Sequence, residues 1–122
     1  MVNADHFKRR LTERREALLK DIRRHLEEDS AARQSAGLRE VMDTKDGSFQ
    51  EATATIRQAG LMLEAEELED IQAALGRLDR GHYGVCIVCE EPIPEKRLEA
   101  WPTAKRCRPC QEEREAEKAR GR

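Results

Sequence analysis

The chain has 122 residues, of which 38% are hydrophobic, 3% aromatic and 39% charged, with a formal net charge of −2. That composition fits one domain, or a small domain with an appendage, and is too poor in apolar bulk for the thick core of a pocket-bearing α/β enzyme, so an elongated helical protein is expected instead. The balanced charge argues against a dedicated nucleic-acid coat, no apolar run approaches the roughly 18 residues of a membrane-spanning helix, and the first residues hold no apolar signal core, so a cytoplasmic protein is expected.

The spacing predicts a first helix over about residues 4–36. At 100° per residue Phe7, Leu11, Leu18 and Ile22 share one stripe, with Leu26 at its edge and Ala32 and Ala36 continuing it. His25 falls on the same stripe and reads as a packed interhelical residue. A second helix is expected from about Ser48 to Arg80, with Leu61, Leu68, Ile71, Leu75 and Leu78 as its stripe. Asp46-Gly47 is a turn dipeptide, Ser48-Phe49-Gln50-Glu51 fits a capping box, and Gly81 suits the position just past a helix end. Two such helices of about 33 residues would each span about 50 Å. A short connection near 37–48 makes them antiparallel neighbours, a helical hairpin or two-stranded coiled coil.

Residues 82–110 change character. They hold Tyr83, Gly84, Pro92, Pro94, Trp101, Pro102, Pro109 and all four cysteines, and the prolines exclude a long helix. Cys86-Ile87-Val88-Cys89 and Cys107-Arg108-Pro109-Cys110 are two C-x2-C pairs separated by 17 residues. Each pair presents two sulfurs from one tight turn, and two pairs complete a tetrahedron around a single Zn²⁺. Four thiolates leave no open position for water, so the metal is expected to be structural and the protein not an enzyme. A redox dithiol is the competing reading, but neither pair has the βαβ context that chemistry uses. Zinc would also supply folding free energy to a segment too small to bury a core of its own. A charged helix resumes from Gln111 to Lys118 and is expected to fray by Arg122. The expected fold class is therefore mainly α: a hairpin over 1–81, then a four-cysteine finger with a C-terminal helix over 82–122.

Residues 82–122 carry nine Lys and Arg against eight Asp and Glu. A DNA-binding finger needs a more basic face, although Lys105, Arg106 and Arg108 form a small cluster that keeps nucleic-acid binding as an alternative.

The segments Gly81-His82-Tyr83-Gly84-Val85-Cys86-Ile87-Val88-Cys89, Pro92-Ile93-Pro94, Arg97-Leu98-Glu99-Ala100, Pro102-Thr103-Ala104 and Cys107-Arg108-Pro109-Cys110-Gln111 resemble the DksA/TraR family of four-cysteine zinc fingers. The resemblance covers about residues 70–112; the preceding hairpin matches in architecture and register. It implies a monomeric regulator that binds bacterial RNA polymerase at the rim of the secondary channel, with the hairpin tip reaching inward, and alters open-complex stability without reading DNA sequence. The family's tip motif D-x-x-D-x-A falls on Asp43-Thr44-Lys45-Asp46-Gly47-Ser48, so Asp43, Asp46 and Ser48 are the implied partner-binding residues, with Ser48 in place of Ala. Two carboxylates on a projecting turn would act on a basic or Mg²⁺-containing channel, while Asp, Gly and Ser are equally ordinary as turn and cap residues. The positions matching the family's ppGpp contacts are Asp70, Trp101 and Gln111, none of them basic, which implies that the familiar ppGpp site is absent or rebuilt. Trp101 reads instead as packing or a rim contact, and Arg97 as a donor to carbonyls of the finger or to an acid of the polymerase. A channel factor that stimulates transcript cleavage and a redox-responsive sensor stand as further alternatives.

Overall fold

The computed structural model describes residues 3–28 and 47–121. The proposed tip acids Asp43 and Asp46 lie outside these residues, as do Ala32, Ala36 and the side chain of Ser48. The described part is mainly helical: α1 spans Ala4–Glu28, α2 Gly47–Gln58, α3 Met62–Asp79, α4 Glu95–Ala100 and α5 Arg108–Ala119. None of these helices is long and apolar enough to cross a membrane.

Helix α1 starts where Asn3 caps it: the Asn3 side-chain oxygen accepts the His6 amide at 3.1 Å, and the Asn3 carbonyl accepts the Phe7 amide at 3.2 Å. Phe7, Leu11, Leu18, Ile22 and Leu26 are all buried, as their spacing predicts, and so is Leu19. His25 is exposed rather than packed. With Leu19 and Leu26 joining Leu18 and Ile22, the buried face turns along the helix and carries position 25 out of it.

The second arm differs from the single helix expected over Ser48–Arg80. It breaks at Ala59-Gly60-Leu61, where Gly60 takes φ +90°. The Gly60 amide bonds the Arg57 carbonyl at 2.9 Å and the Leu61 amide bonds the Ile56 carbonyl at 3.2 Å, the paired closure of a Schellman motif. Arg57 of α2 pairs with Glu69 of α3 across the break. Helix α3 ends the same way. Gly81 has φ +74°, its amide bonds Leu78 at 3.2 Å, and the His82 amide bonds Arg77 at 2.8 Å. This second glycine stop is the one the sequence predicts.

The chain divides into two compact units, one of Thr12–Ile71 and one of Met1–Leu11 with Gln72–Arg122. The first buries Leu18, Leu19, Ile22 and Leu26 of α1, Ala52 and Ile56 of α2, and Ala65, Leu68 and Ile71 of α3. Arg14 of α1 grips Glu67 of α3 through two hydrogen bonds of 2.5 and 2.8 Å. Both side chains are more than a third exposed, so the pair aligns the helices more than it stabilises them, at about 0.2–1 kcal/mol. The second unit buries Phe7 and Leu11 of α1, Ala74 of α3, and Tyr83, Cys86, Ile93, Leu98 and Ala104 of the finger. Within it, Leu75 and Leu78 are only half-buried.

Candidate metal centre

The first cysteine pair sits on a short hairpin. Val85 and Pro92 form an isolated antiparallel bridge, closed by the Cys86 amide on Glu91 at 2.9 Å and the Ile93 amide on Gly84 at 2.8 Å. The turn needs left-handed backbone at two places, Gly84 at φ +84° and Glu90 at φ +64°. Inside it the amides of Val88 and Cys89 point at the Cys86 sulfur from 3.4 and 3.5 Å. The C-x2-C spacing produces this geometry, since a tight turn leaves the third and fourth amides facing the first sulfur.

The second pair opens α5. Cys107 is its N-cap, with extended backbone (φ −68°, ψ 165°), Pro109 lies in the first turn, and the Gln111 amide closes onto the Cys107 carbonyl at 2.9 Å. Cys110 therefore projects from the first helical turn, beside Cys107. The Ile87 amide donates to the Lys105 carbonyl at 2.9 Å and ties the two halves together.

The four sulfurs of Cys86, Cys89, Cys107 and Cys110 lie within 4.8 Å of one another. Those of Cys89 and Cys107 are 3.6 Å apart. Four Zn–S bonds of about 2.3 Å at tetrahedral angles place their sulfurs about 3.8 Å apart, so this donor set fits one zinc ion. The acidities of the thiols show why a cation suits the cluster. Burial pushes the Cys86 thiol up, but the amides of Cys89, Cys107 and Val88 outweigh it and bring the thiol down to about 6. Cys110 is pushed up to about 12, first by its hydrogen bond with Cys107, then by burial and the other two sulfurs. Cys89 takes an acid-strengthening amide bond from Glu91, yet burial and the sulfurs of Cys107 and Cys86 leave it raised. One thiolate forms readily and its neighbours then resist ionising; a dication at the centre removes that penalty.

A second layer of contacts holds the finger around these turns. The Tyr83 hydroxyl donates to the Pro102 carbonyl at 2.7 Å, and its ring lies 5.5 Å from that of Phe7. Arg10 donates to both the carbonyl and the carboxylate of Glu99, at 2.8 and 3.0 Å, and His6 meets the other carboxylate oxygen at 2.9 Å. Arg77 is buried and donates to the Thr103 carbonyl at 3.4 Å. Sequence reading missed His6, Arg10 and Glu99, and no local signal marks contacts that span about ninety residues of chain. It did find Arg97, whose Nε donates to the Arg106 carbonyl at 3.1 Å. The same guanidinium lies 5.1 Å over the ring of Trp101, which is 40% exposed. Of the basic cluster, Arg108 pairs with Glu112 at 3.3 Å, and Lys105 and Arg106 are half-buried.

Residues 81–116 match the prokaryotic dksA/traR C4-type zinc finger. An uncharacterized protein of Aquifex aeolicus is 34% identical over 99 residues, which cover 80% of this chain and 68% of that protein. The RNA polymerase-binding transcription factor DksA of Haemophilus influenzae is 35% identical over 68 residues, 56% of this chain and 47% of that one. Among solved structures, the transcription factor DksA2 from Pseudomonas aeruginosa superposes with a TM-score of 0.65 and 28% identity, over 95% of this chain and 85% of its own. The chain belongs to the DksA/TraR family of C4-type zinc-finger proteins.

Proposed function

We propose that this chain is a transcription regulator that binds bacterial RNA polymerase and carries one structural zinc ion on Cys86, Cys89, Cys107 and Cys110. The observation that carries the reading is the likeness to DksA2, which extends over 95% of this chain and so takes in the helices as well as the finger. The Haemophilus influenzae and Pseudomonas aeruginosa relatives are transcription factors, and in this reading the chain acts by binding rather than by catalysis.

In this reading residues 1–81 form the channel-entering arms and residues 82–122 the finger that docks at the rim of the secondary channel. Asp43, Asp46 and Ser48 at the tip act on the open complex. The protein works in the cytoplasm as a monomer, without sequence-specific DNA contacts and without the usual ppGpp site. Within the finger, Trp101 and Gln111 carry no charge, so neither offers a cation to a polyphosphate.

The test is in vitro transcription with purified bacterial RNA polymerase at a promoter whose open complex is short-lived, without ppGpp. Wild type is expected to repress, and Asp46→Ala is expected to bind polymerase equally well and repress several-fold less. Binding with equal repression by both proteins would remove the tip assignment. Absence of binding would remove the reading as a whole.

A further inference from the structure

Arg97 is a half-buried cation that no carboxylate balances among the described residues. Its backbone is fixed on both sides. The Arg97 amide donates to the Pro94 carbonyl at 3.0 Å, and the Arg97 carbonyl accepts the Trp101 amide at 2.8 Å. Leu98, the next residue, is fully buried and roots α4 in the finger. The guanidinium lies over the ring of Trp101, one helical turn on, while its Nε donates to the Arg106 carbonyl. A planar donor stacked in this way is already aligned with the carbonyl it holds.

That carbonyl belongs to the peptide through which the chain enters the second cysteine pair. It joins Arg106 to Cys107, the N-cap of α5 and one of the four sulfur donors. A trans peptide turns its C=O and N–H in opposite directions, so with the carbonyl on Arg97 the Cys107 N–H points away from Arg97. The Cys107 amide acts on the Cys86 sulfur, together with the amides of Val88 and Cys89. One peptide unit thus lies between a cation and a ligand sulfur. A cation on the C=O polarises the peptide and makes its N–H a stronger donor. Four thiolates around Zn²⁺ carry net negative charge, which a nearby cation and stronger N–H···S bonds both offset.

We propose that Arg97 is a positioning residue of the metal site, one that holds the Arg106–Cys107 peptide in place and, through its N–H, stabilises the Cys86 sulfur as a ligand. The proposal rests on the reading of the four cysteines as a zinc site. It is specific to one peptide: Tyr83 bonds the Pro102 carbonyl earlier in the same linker and holds that linker without touching the Arg106–Cys107 unit.

The full chain, labelled with ¹⁵N, is loaded with ¹¹³Cd²⁺, a soft cation that suits the same four thiolates and reports on them through its own resonance. Arg97→Met keeps bulk over Trp101 and removes both the charge and the donor. In this variant the Cys107 amide proton is expected to move upfield and the ¹¹³Cd resonance to shift. Zinc affinity, read by chelator competition, is expected to fall about tenfold. Arg97→Lys keeps a cation without the planar stack and is expected to lie between Arg97→Met and wild type in all three readouts; it decides the matter if Arg97→Met takes up no metal. Tyr83→Phe is the structural control. It loosens the same linker, so zinc affinity falls with the stability of the finger, but the Cys107 amide and the ¹¹³Cd resonance are expected to stay at their wild-type positions. Unmoved signals in the Arg97 variants, or equal movement in Tyr83→Phe, would overturn the proposal and leave the zinc reading standing. Wild type that takes up neither Cd²⁺ nor Zn²⁺ would overturn both.

Discussion

At the scale of single residues, Tyr83 is the most exposed to test. It is the only tyrosine in the chain, so the phenolate absorbance band follows its ionisation alone. Burial pushes its phenol up to about 12, against weaker opposing pulls from Arg77 and Arg10 and a further push from Glu99. The folded state thus holds the proton more tightly than the unfolded chain, whose phenol titrates near ~10. The stability this contributes is fully present below the unfolded value and is lost as pH rises through about 12. A titration of zinc-loaded protein is expected to find the midpoint raised well above that of free tyrosine; an unshifted midpoint would place the ring in solvent. Tyr83→Phe removes the 2.7 Å bond to Pro102 and is expected to cost about 1 kcal/mol in urea unfolding, with its stability no longer falling through that alkaline range.

At the scale of elements, glycines decide where the second arm begins and stops being helical, and two of them make predictions of opposite sign. Gly60 sits at φ +90° with open space where a Cβ would go. Gly60→Ala meets no clash, so its whole cost is the left-handed backbone, about 1–2 kcal/mol. Gly76 is inside α3, and a Cβ there meets only the far end of the Arg80 side chain at 3.2 Å, which can swing aside. Gly76→Ala is expected to stabilise by about 0.5–1 kcal/mol, because glycine is a poor helix interior. Thermal melts of both variants check the pair; a stabilised Gly60→Ala would mean that the arm runs straight through the break. The same two positions show what the sequence reveals and what it hides. Both glycines lie in apolar helical repeats, and neither is flanked by a proline or a turn dipeptide. The stop at Gly81 is legible because the periodic pattern ends there, whereas Gly60 interrupts a pattern that continues through Leu61 and Leu68. The metal site is legible throughout, since C-x2-C spacing encodes its own local geometry. The clasp of His6 and Arg10 on Glu99 is invisible, because only the folded chain brings α1 and α4 together.

At the scale of the whole molecule, the two units differ in what holds them. The unit of Thr12–Ile71 buries nine aliphatic side chains from three helices and has a core of its own. The finger has one isolated bridge, the six-residue α4 and a C-terminal helix with no buried residue. So little regular structure cannot offset the ordering entropy of some thirty residues at roughly 1–2 kcal/mol each, so metal binding must supply the difference. The ligands compete with protons, and Cys89 and Cys110 are raised when no metal is present, so zinc retention is expected to weaken as pH falls. Removing the metal should therefore unfold the chain in part. Hydrogen–deuterium exchange on chelator-treated protein, or on Cys86→Ser, is expected to show lost amide protection from Gly84 to Ala104. Protection around Leu18, Ile22, Ile56 and Leu68 should persist, and most of the helical circular dichroism with it. Loss of protection at both sets of residues together would mean that zinc stabilises the two units as one cooperative fold. Unchanged protection in the finger would mean that its aliphatic and aromatic contacts, Phe7 on Tyr83 foremost, suffice without metal.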